Sequence, residues 1–156
     1  MDPFAPRQPT HEPMDFGAIM KLAQALLDEA SEGPIAPETI DALAQSEGVD
    51  RAVAWAAAGS HPFIQLQREN EVAVAVCVGR CQLWGGGDLL EGALELREKR
   101  VGEGKSGFDV IPRNCLNRCH DAPMAFVVLP EGSAGFPRAT TDDLTAMMAE
   151  LDSLSD

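Results

Sequence analysis

The sequence predicts an α/β protein in which a sheet domain follows a small bundle of helices. The first 60 residues carry apolar side chains at helical spacing, interrupted by glycine and proline. Residues 71–76 are a run of valine and alanine after one glutamate, which is typical of a buried strand. Strand-like and helix-like segments then alternate towards the C-terminus, as they do in α/β sheet domains.

Composition divides the chain of 156 residues into three parts. Residues 1–13 contain four prolines and few large apolar side chains, which predicts a flexible tail. Residues 14–60 are predicted to form a small N-terminal helical appendage. Residues 61–156 are predicted to form the α/β sheet domain, and they hold all four cysteines.

Three helices are predicted in the appendage, each bounded by a capping residue or a helix breaker. They span residues 14–30, 37–47 and 51–58. Asp15 and Asp50 are candidate N-caps, because a carboxylate can accept hydrogen bonds from the unpaired N–H groups of a first turn.

The sheet domain is predicted in the order strand, helix, strand, strand, helix. Its strands are rich in β-branched, apolar side chains and span residues 71–76, 108–111 and 124–129. A helix at residues 89–100, with Asp88 as its N-cap, joins the first two strands, and another helix closes the domain. We expect a turn at residues 130–135 and a strand or a linker at residues 63–67.

The net charge of −13 disfavours nucleic acid and direct insertion into an anionic membrane as modes of binding. Acidic residues are concentrated in the flanks, with a net charge of −8 for residues 1–50 and −6 for residues 121–156. Residues 51–120, which contain all four cysteines, have a net charge of +1. The acidic flanks are explained by solubility, or the central segment has kept positive charge beside an anionic site.

The chain has no apolar stretch near the roughly 20 residues that span a bilayer. Its N-terminus also lacks the basic and then apolar layout of a signal peptide. We therefore expect a cytoplasmic protein, in which thiols stay reduced and paired cysteines favour metal or redox chemistry.

The cysteines occur in two matching pentapeptides, Cys-Val-Gly-Arg-Cys at residues 77–81 and Cys-Leu-Asn-Arg-Cys at residues 115–119. The candidate ligands of a four-thiolate site are therefore Cys77, Cys81, Cys115 and Cys119. Each loop begins at or near the end of a predicted strand, so the fold can bring the pairs together. Spacing alone leaves open an iron–sulfur cluster, a structural zinc ion, and reactive thiols or a disulfide pair.

The two loops also match at their inner positions. Gly79 and Asn117 are equivalent, and both residue types tolerate the positive φ of a turn that aims N–H groups at anionic sulfur. Arg80 and Arg118 are also equivalent and place positive charge beside the thiolates. Such groups favour the more negative, reduced state of a cluster and so raise its reduction potential.

No serine–histidine–aspartate set or pair of catalytic carboxylates stands out, so the chain alone is not expected to turn over a substrate. His120 follows a candidate ligand directly, but four cysteines are available, so we predict a surface or supporting role for it. The three glycines at residues 85–87 predict a flexible turn beside the site. Trp84 is expected to shield the site from water or to lie at a partner interface.

Residues 114–119, followed by Asp-Ala-Pro-Met at residues 121–124 and a β-rich run, resemble the second cysteine loop of the thioredoxin-like [2Fe–2S] ferredoxins. Residues 33–44 and 48–53 are similar to the N-terminal helices of the 24-kDa-type (E) subunit of NADH:quinone oxidoreductase. That family includes the related small subunits of NAD-linked formate dehydrogenases and hydrogenases. The resemblance covers about residues 15–150, and the second cysteine loop is its most specific part.

The resemblance implies a thioredoxin-like domain with a [2Fe–2S] cluster on Cys77, Cys81, Cys115 and Cys119. It also implies an electron-transfer subunit that docks on a larger flavin- and NAD(H)-binding iron–sulfur subunit. The first cysteine pair encloses three residues where the family usually has four, and residues 53–59 contain one aromatic residue where the family tends to be rich in them. These differences motivate an alternative, which is a zinc-stabilised or cluster-free assembly module on the same scaffold.

Overall fold

The fold is mixed α/β in a computed structural model that describes residues 7–115 and 119–154. Within these residues, five α-helices and one four-stranded sheet are arranged along the chain as α1 (Phe16–Ala30), α2 (Pro37–Glu47), α3 (Arg51–Gly59), β1 (Ala73–Cys77), α4 (Gly86–Gly102), β2 (Asp109–Arg113), β3 (Ala125–Leu129), β4 (Gly132–Phe136) and α5 (Thr141–Leu154). Two short 3₁₀ helices, Arg80–Trp84 and Cys119–Asp121, belong to the cysteine loops. No helix in the described ranges is long and apolar enough to cross a membrane.

The strands form one mixed sheet in the order β2-β1-β3-β4. β1 and β2 run parallel and are joined through α4, whereas β3 pairs antiparallel with both β1 and β4. All five residues of β1 are buried, as its run of valine and alanine predicts. Because β1 and β2 are parallel neighbours, their C-terminal ends lie side by side at one edge of the sheet.

One hydrophobic core joins the helical appendage to the sheet. Trp55 of α3, Leu94 of α4 and Val127 of β3 are all fully buried in this core. Gly59, the last residue of α3, packs directly on Pro112 of β2, and a Cβ at this glycine would lie 2.8 Å from the Pro112 carbonyl carbon. The appendage is therefore attached to β2 by a contact that admits no side chain.

The three helices of the appendage lie where the sequence predicts them. The Asp15 carboxylate caps α1, since its Oδ1 accepts hydrogen bonds from the Gly17 and Ala18 N–H groups at 2.9 and 3.3 Å. Gly48 ends α2 in the left-handed conformation, with φ of 68°. Asp50 occupies the N-cap position of α3, as predicted, but its side chain makes no capping hydrogen bond to the described residues of that helix.

The predicted turn at residues 130–135 is shorter than expected, because only residues 130 and 131 form a turn and β4 begins at Gly132. The strand Gly132–Phe136 contains glycine, serine and alanine, which have little intrinsic preference for strands, so the sequence signal was weak. Pairing with β3 imposes the extended conformation. Gly135 lies opposite Phe126, and a Cβ on this glycine would lie 2.9 Å from the aromatic ring. The glycine therefore makes room for the aromatic side chain.

Two smaller differences concern the ends of elements. α4 begins at Gly86, three residues earlier than predicted, so Asp88 lies in the first helical turn instead of capping it. The glycine belongs in the helix because the turn packs on β1, where a Cβ would lie 2.7 Å from the Cys77 carbonyl oxygen. Residues 63–67 are a linker with one isolated β-bridge, at Leu66.

Candidate functional site

The candidate ligands differ in their burial. Cys77 is the last residue of β1 and Cys81 lies in the 3₁₀ turn that follows, and the two are only 2% and 1% exposed. Cys115 lies two residues beyond the end of β2 and is exposed. Cys119 opens the second 3₁₀ turn, and its side chain lies outside the described part of the structure.

The sheet brings the two cysteine loops to one edge. In the parallel register, Cys77 pairs with Arg113, the last residue of β2. The next residue continues this pairing, because the Val78 N–H donates to the Arg113 carbonyl oxygen at 2.7 Å. Asn114 follows, and the Cys77 Sγ lies 3.7 Å from its carbonyl oxygen. The first loop and the start of the second are therefore in contact, which agrees with the expectation that the fold brings the two cysteine pairs together.

Gly79 is where the two loops meet most closely. A Cβ on this residue would overlap the carbonyl oxygen of Asn114 and lie 2.9 Å from its side-chain oxygen. Its φ is −82°, so the expected positive φ is wrong at this position. The glycine is required by the space between the loops and not by the handedness of the turn. Asn117, the matching position, lies outside the described residues.

The buried thiols belong to a small apolar cluster that is separate from the main core. Cys77 and Cys81 share this cluster with Trp84, Ala122 and Met124. Ala122 and Met124 follow the second cysteine loop, so the cluster is built from both loops. Trp84 is 9% exposed and packs in this apolar cluster, so its two expected roles, shielding the site from water or lying at a partner interface, stay predictions.

The N-terminus of α4 faces the first cysteine loop. Its first residue, Gly86, packs on the backbone of Cys77 and Cys81, with a Cβ position 3.0 Å from the Cys81 carbonyl oxygen. The positive end of the helix macrodipole is therefore close to the loop and favours negative charge there. Residues 86 and 87 of the predicted turn instead belong to the first turn of this helix, and Gly85 precedes it as the N-cap residue in the left-handed conformation.

Positive side chains lie at two sides of the site. Arg80 is exposed on the first loop, and Arg118 lies outside the described residues. Arg7, which sequence reasoning missed, donates from Nη1 to the Ala122 carbonyl oxygen at 2.6 Å and stacks over Trp84 at 5.3 Å. Its only sequence signal was that it is one of two basic residues among the first 50.

Residues 7–13 differ from the predicted flexible tail, because hydrogen bonds hold them to the first loop. The Thr10 and His11 N–H groups both donate to the Leu83 carbonyl oxygen, at 2.9 and 3.0 Å. The Trp84 Nε1 donates to the Gln8 carbonyl oxygen at 3.1 Å. These contacts place the N-terminal segment against the 3₁₀ turn that contains Cys81.

His120 lies at the surface, where its Nε2 is 3.5 Å from the Asp121 Oδ2. Across residues 7–115 and 119–154, no group of three or more His, Cys, Asp or Glu side chains is placed to hold a metal ion. The donor set nevertheless fits a soft metal, since the described thiols of Cys77 and Cys81 are buried together and thiolates select zinc or iron–sulfur clusters.

An apolar groove of about 390 Å³ lies between α1 and the first cysteine loop. Its walls include Phe16, Met20, Leu27, Val78, Arg80 and Asn114. Phe16 and Met20 are 73% and 51% exposed, which is high for large apolar side chains. None of the described residues that line the groove is an aspartate or a glutamate, although the chain contains 25 of them.

Comparison with protein-family models gives no match to this chain, and comparison with curated proteins gives none either.

Proposed function

We propose that this protein is an electron-transfer subunit of an NAD(H)-linked oxidoreductase complex, with a [2Fe–2S] cluster held by Cys77, Cys81, Cys115 and Cys119. The observation that carries this proposal is the meeting of two matched cysteine loops at one sheet edge. In the described part, the loops share a buried apolar cluster that contains two of the thiols. Four cysteine thiolates are the common ligand set of [2Fe–2S] clusters.

The topology supports a thioredoxin-like fold for the sheet domain. β1, α4 and β2 form a parallel β-α-β unit, and β3, β4 and α5 form an antiparallel β-β-α unit. The cysteine loops follow β1 and β2, which agrees with the position that the resemblance implies for the ligands. The domain would thus carry its redox group at an edge, where a partner can approach it.

The chemistry of the site supports an anionic redox group. A bound cluster would supply one-electron transfer, and its reduced state carries one more negative charge. The N-terminus of α4, Arg7 and Arg80 lie on or beside the loops and favour that charge. The surrounding apolar side chains exclude water and so strengthen these electrostatic effects.

The proposed partner is the larger flavin- and NAD(H)-binding iron–sulfur subunit, in a complex of the NADH dehydrogenase, formate dehydrogenase or hydrogenase type. The groove beside the first cysteine loop supports docking there, because it exposes apolar side chains and Arg80 without carboxylates among its described walls. It suits a partner surface with an apolar side chain and acidic groups. We propose a cytoplasmic location, with no nucleic acid bound and no direct insertion into the membrane.

The test is anaerobic purification followed by analysis of iron, acid-labile sulfide and zinc. We expect two iron and two sulfide per chain, visible absorbance in the oxidised protein, and an EPR signal after reduction with dithionite. A colourless protein with one zinc per chain would overturn the proposal. Arg97→Gln, a change on α4, serves as a control that should load normally.

The second candidate is a zinc-stabilised or cluster-free assembly module, which the short first cysteine loop favours. Cys77→Ser separates the two functions within the native complex. Loss of the reduced-state EPR signal and of the activity of an otherwise assembled complex supports electron transfer. Retained activity with impaired assembly supports the structural role.

A further inference from the structure

Residues 7–14, here called the N-terminal strap, cross the 3₁₀ turn of the first cysteine loop and are hydrogen-bonded to Gln82, Leu83 and Trp84. The Leu83 carbonyl oxygen accepts hydrogen bonds from the Thr10 and His11 N–H groups. The Met14 N–H donates to the Gln82 Oε1. The same glutamine side chain donates from Nε2 to the Gly79 carbonyl oxygen at 3.0 Å. The strap is thus connected to the point where the two loops meet.

Arg7 connects the strap to both loops. Its guanidinium stacks over Trp84, which ends the first loop, with 5.3 Å between the guanidinium carbon and the ring centroid. Its Nη1 donates to the carbonyl oxygens of His120 and Ala122 after the second loop, at 3.3 and 2.6 Å. Trp84 and Ala122 both belong to the apolar cluster around Cys77 and Cys81. The Arg7 side chain therefore contacts the apolar cluster on two sides, at Trp84 and at Ala122.

The strap is held mainly by polar contacts. Residues 8–13 are exposed, and the pair between His11 Nε2 and Asp88 Oδ2, 3.0 Å apart, is also at the surface. Met14 is partly buried against the main core and anchors the C-terminal end. A segment with few buried apolar contacts can open locally while the core remains folded.

We propose that the N-terminal strap is a closing element that holds the two cysteine loops together and shields the buried thiols, with Arg7 as its positioning residue. Opening of the strap admits water and reagents to Cys77 and Cys81. The strap can shield the thiols whether or not a metal is bound. Its effect on how long a [2Fe–2S] cluster is retained rests on the proposed function. The experiment has one arm for each.

The first arm measures thiol reactivity in the reduced, cluster-free full-length chain. Iodoacetamide labelling at Cys77 and Cys81 is followed by mass spectrometry in wild type, Arg7→Gln, Arg7→Lys and Arg97→Gln. Arg97 is a matched control, since it stacks over Trp55 at 5.5 Å in a second arginine–tryptophan pair. We expect labelling about tenfold faster in Arg7→Gln, because a cation–π contact and two hydrogen bonds are lost.

Arg7→Lys should give a rate between wild type and Arg7→Gln, since an ammonium keeps the charge but cannot donate in the planar geometry of a guanidinium. Trp84→Phe provides a second variant at the other side of the contact and should accelerate labelling several-fold, because it removes the indole N–H that bonds Gln8. Labelling rates of Arg7→Gln and Trp84→Phe within twofold of the Arg97→Gln rate would overturn the proposal.

The second arm measures the loss of visible absorbance from the iron–sulfur-loaded chain in excess iron chelator. We expect Arg7→Gln to lose absorbance about tenfold faster than wild type and Arg97→Gln to match wild type. If the chain loads iron and sulfide but Arg7→Gln and wild type lose absorbance at equal rates, the proposed role of the strap is overturned and the proposed function is retained. A chain that never loads, but whose thiols become reactive in Arg7→Gln, overturns the proposed function and supports the strap.

Discussion

Gly79 of the first cysteine loop packs against the backbone of Asn114, so closely that a Cβ on the glycine would overlap the Asn114 carbonyl oxygen. The two residues come from segments that are 35 positions apart in sequence, yet they leave no space for a methyl group between them. The Asn114 backbone cannot move aside as the end of a flexible side chain could. The separation of the loops is therefore fixed by the absence of a side chain at this position.

Gly79→Ala is expected to force the loops apart. The variant should lose about 2–3 kcal/mol of unfolding free energy, in the range of an overpacked site, and should retain less iron after reconstitution. Urea unfolding and iron analysis measure the two effects. Gly102→Ala, at a position at the end of α4 where a Cβ meets nothing within 4 Å, is the control and should lower neither the stability nor the iron content. A Gly79→Ala protein with wild-type stability would contradict the contact.

Asp109 at the start of β2 is predicted to make stability depend on acid pH. Burial alone raises the pKa of Asp109, but hydrogen bonds from the side chains of Arg68 and Asn70 and from two backbone N–H groups lower it more, to below its ordinary value of 3.8. The ionised form is thus favoured in the folded state. Its contribution is fully present above about pH 4 and is lost as the pH falls through the lower pKa of the folded protein.

Asp109→Asn should therefore destabilise the protein by about 2–3 kcal/mol at pH 7, since a buried carboxylate with several hydrogen bonds is removed. The difference from wild type should narrow in urea unfolding below pH 4. Glu150→Gln, a change at an exposed carboxylate, should leave stability nearly unchanged. A difference that stays constant from pH 7 to pH 3 would contradict the assigned pKa direction.

The unequal burial of the cysteines predicts an order of alkylation. In the reduced, cluster-free chain, iodoacetamide should modify exposed Cys115 at least about tenfold faster than buried Cys77 and Cys81. Peptide mapping by mass spectrometry gives the separate rates, and unfolding in urea should make them similar. Loading with iron and sulfide should protect all three residues. Protection of Cys77 and Cys81 without Cys115 would argue against Cys115 as a ligand.

The apolar groove between α1 and the first cysteine loop predicts which surface substitutions weaken binding of the proposed partner. Met20→Asp and Arg80→Glu add negative charge to a groove that has no carboxylate among its described walls. If the proposed partner is correct, both should weaken association of the purified chain with that flavin-containing subunit by at least about tenfold. The same titration with Leu154→Asp, which changes an exposed apolar residue of α5, should give the wild-type affinity. Unchanged affinity in both groove variants would place the docking surface elsewhere.

The pattern of apolar residues was sufficient to predict those helices and strands whose own residues show it. The apolar face of α1 and the valine–alanine run of β1 are examples, and both lie where expected. β4 was missed because its extended form is imposed by pairing with β3, and propensity cannot show a partner strand. The sequence also indicated that each cysteine loop begins at or near the end of a strand. The structure shows that these two strands are parallel neighbours, and this pairing is what lets the loops meet.

Contacts between distant segments could not be predicted in the same way. Arg7 is 113 residues from His120, and no repeat or spacing relates it to the cysteines. The requirement for Gly79 was predicted for the wrong reason, because composition shows that glycine is permissive and cannot show what stands beside it. Contacts such as those of Arg7 and Gly79 form only when the chain is folded. In the described residues they define the walls of the site.

The contact between Gly59 and Pro112 has a consequence for the rate of the proposed electron transfer. α3 touches β2 without an intervening side chain, so the appendage packs directly on the strand that leads to Cys115 and shares one core with it. The proposed partner, if docked on α1, would therefore lie at a nearly constant distance from the cysteine loops. Since electron tunnelling becomes slower with distance, this packing would narrow the range of distances over which the proposed transfer occurs.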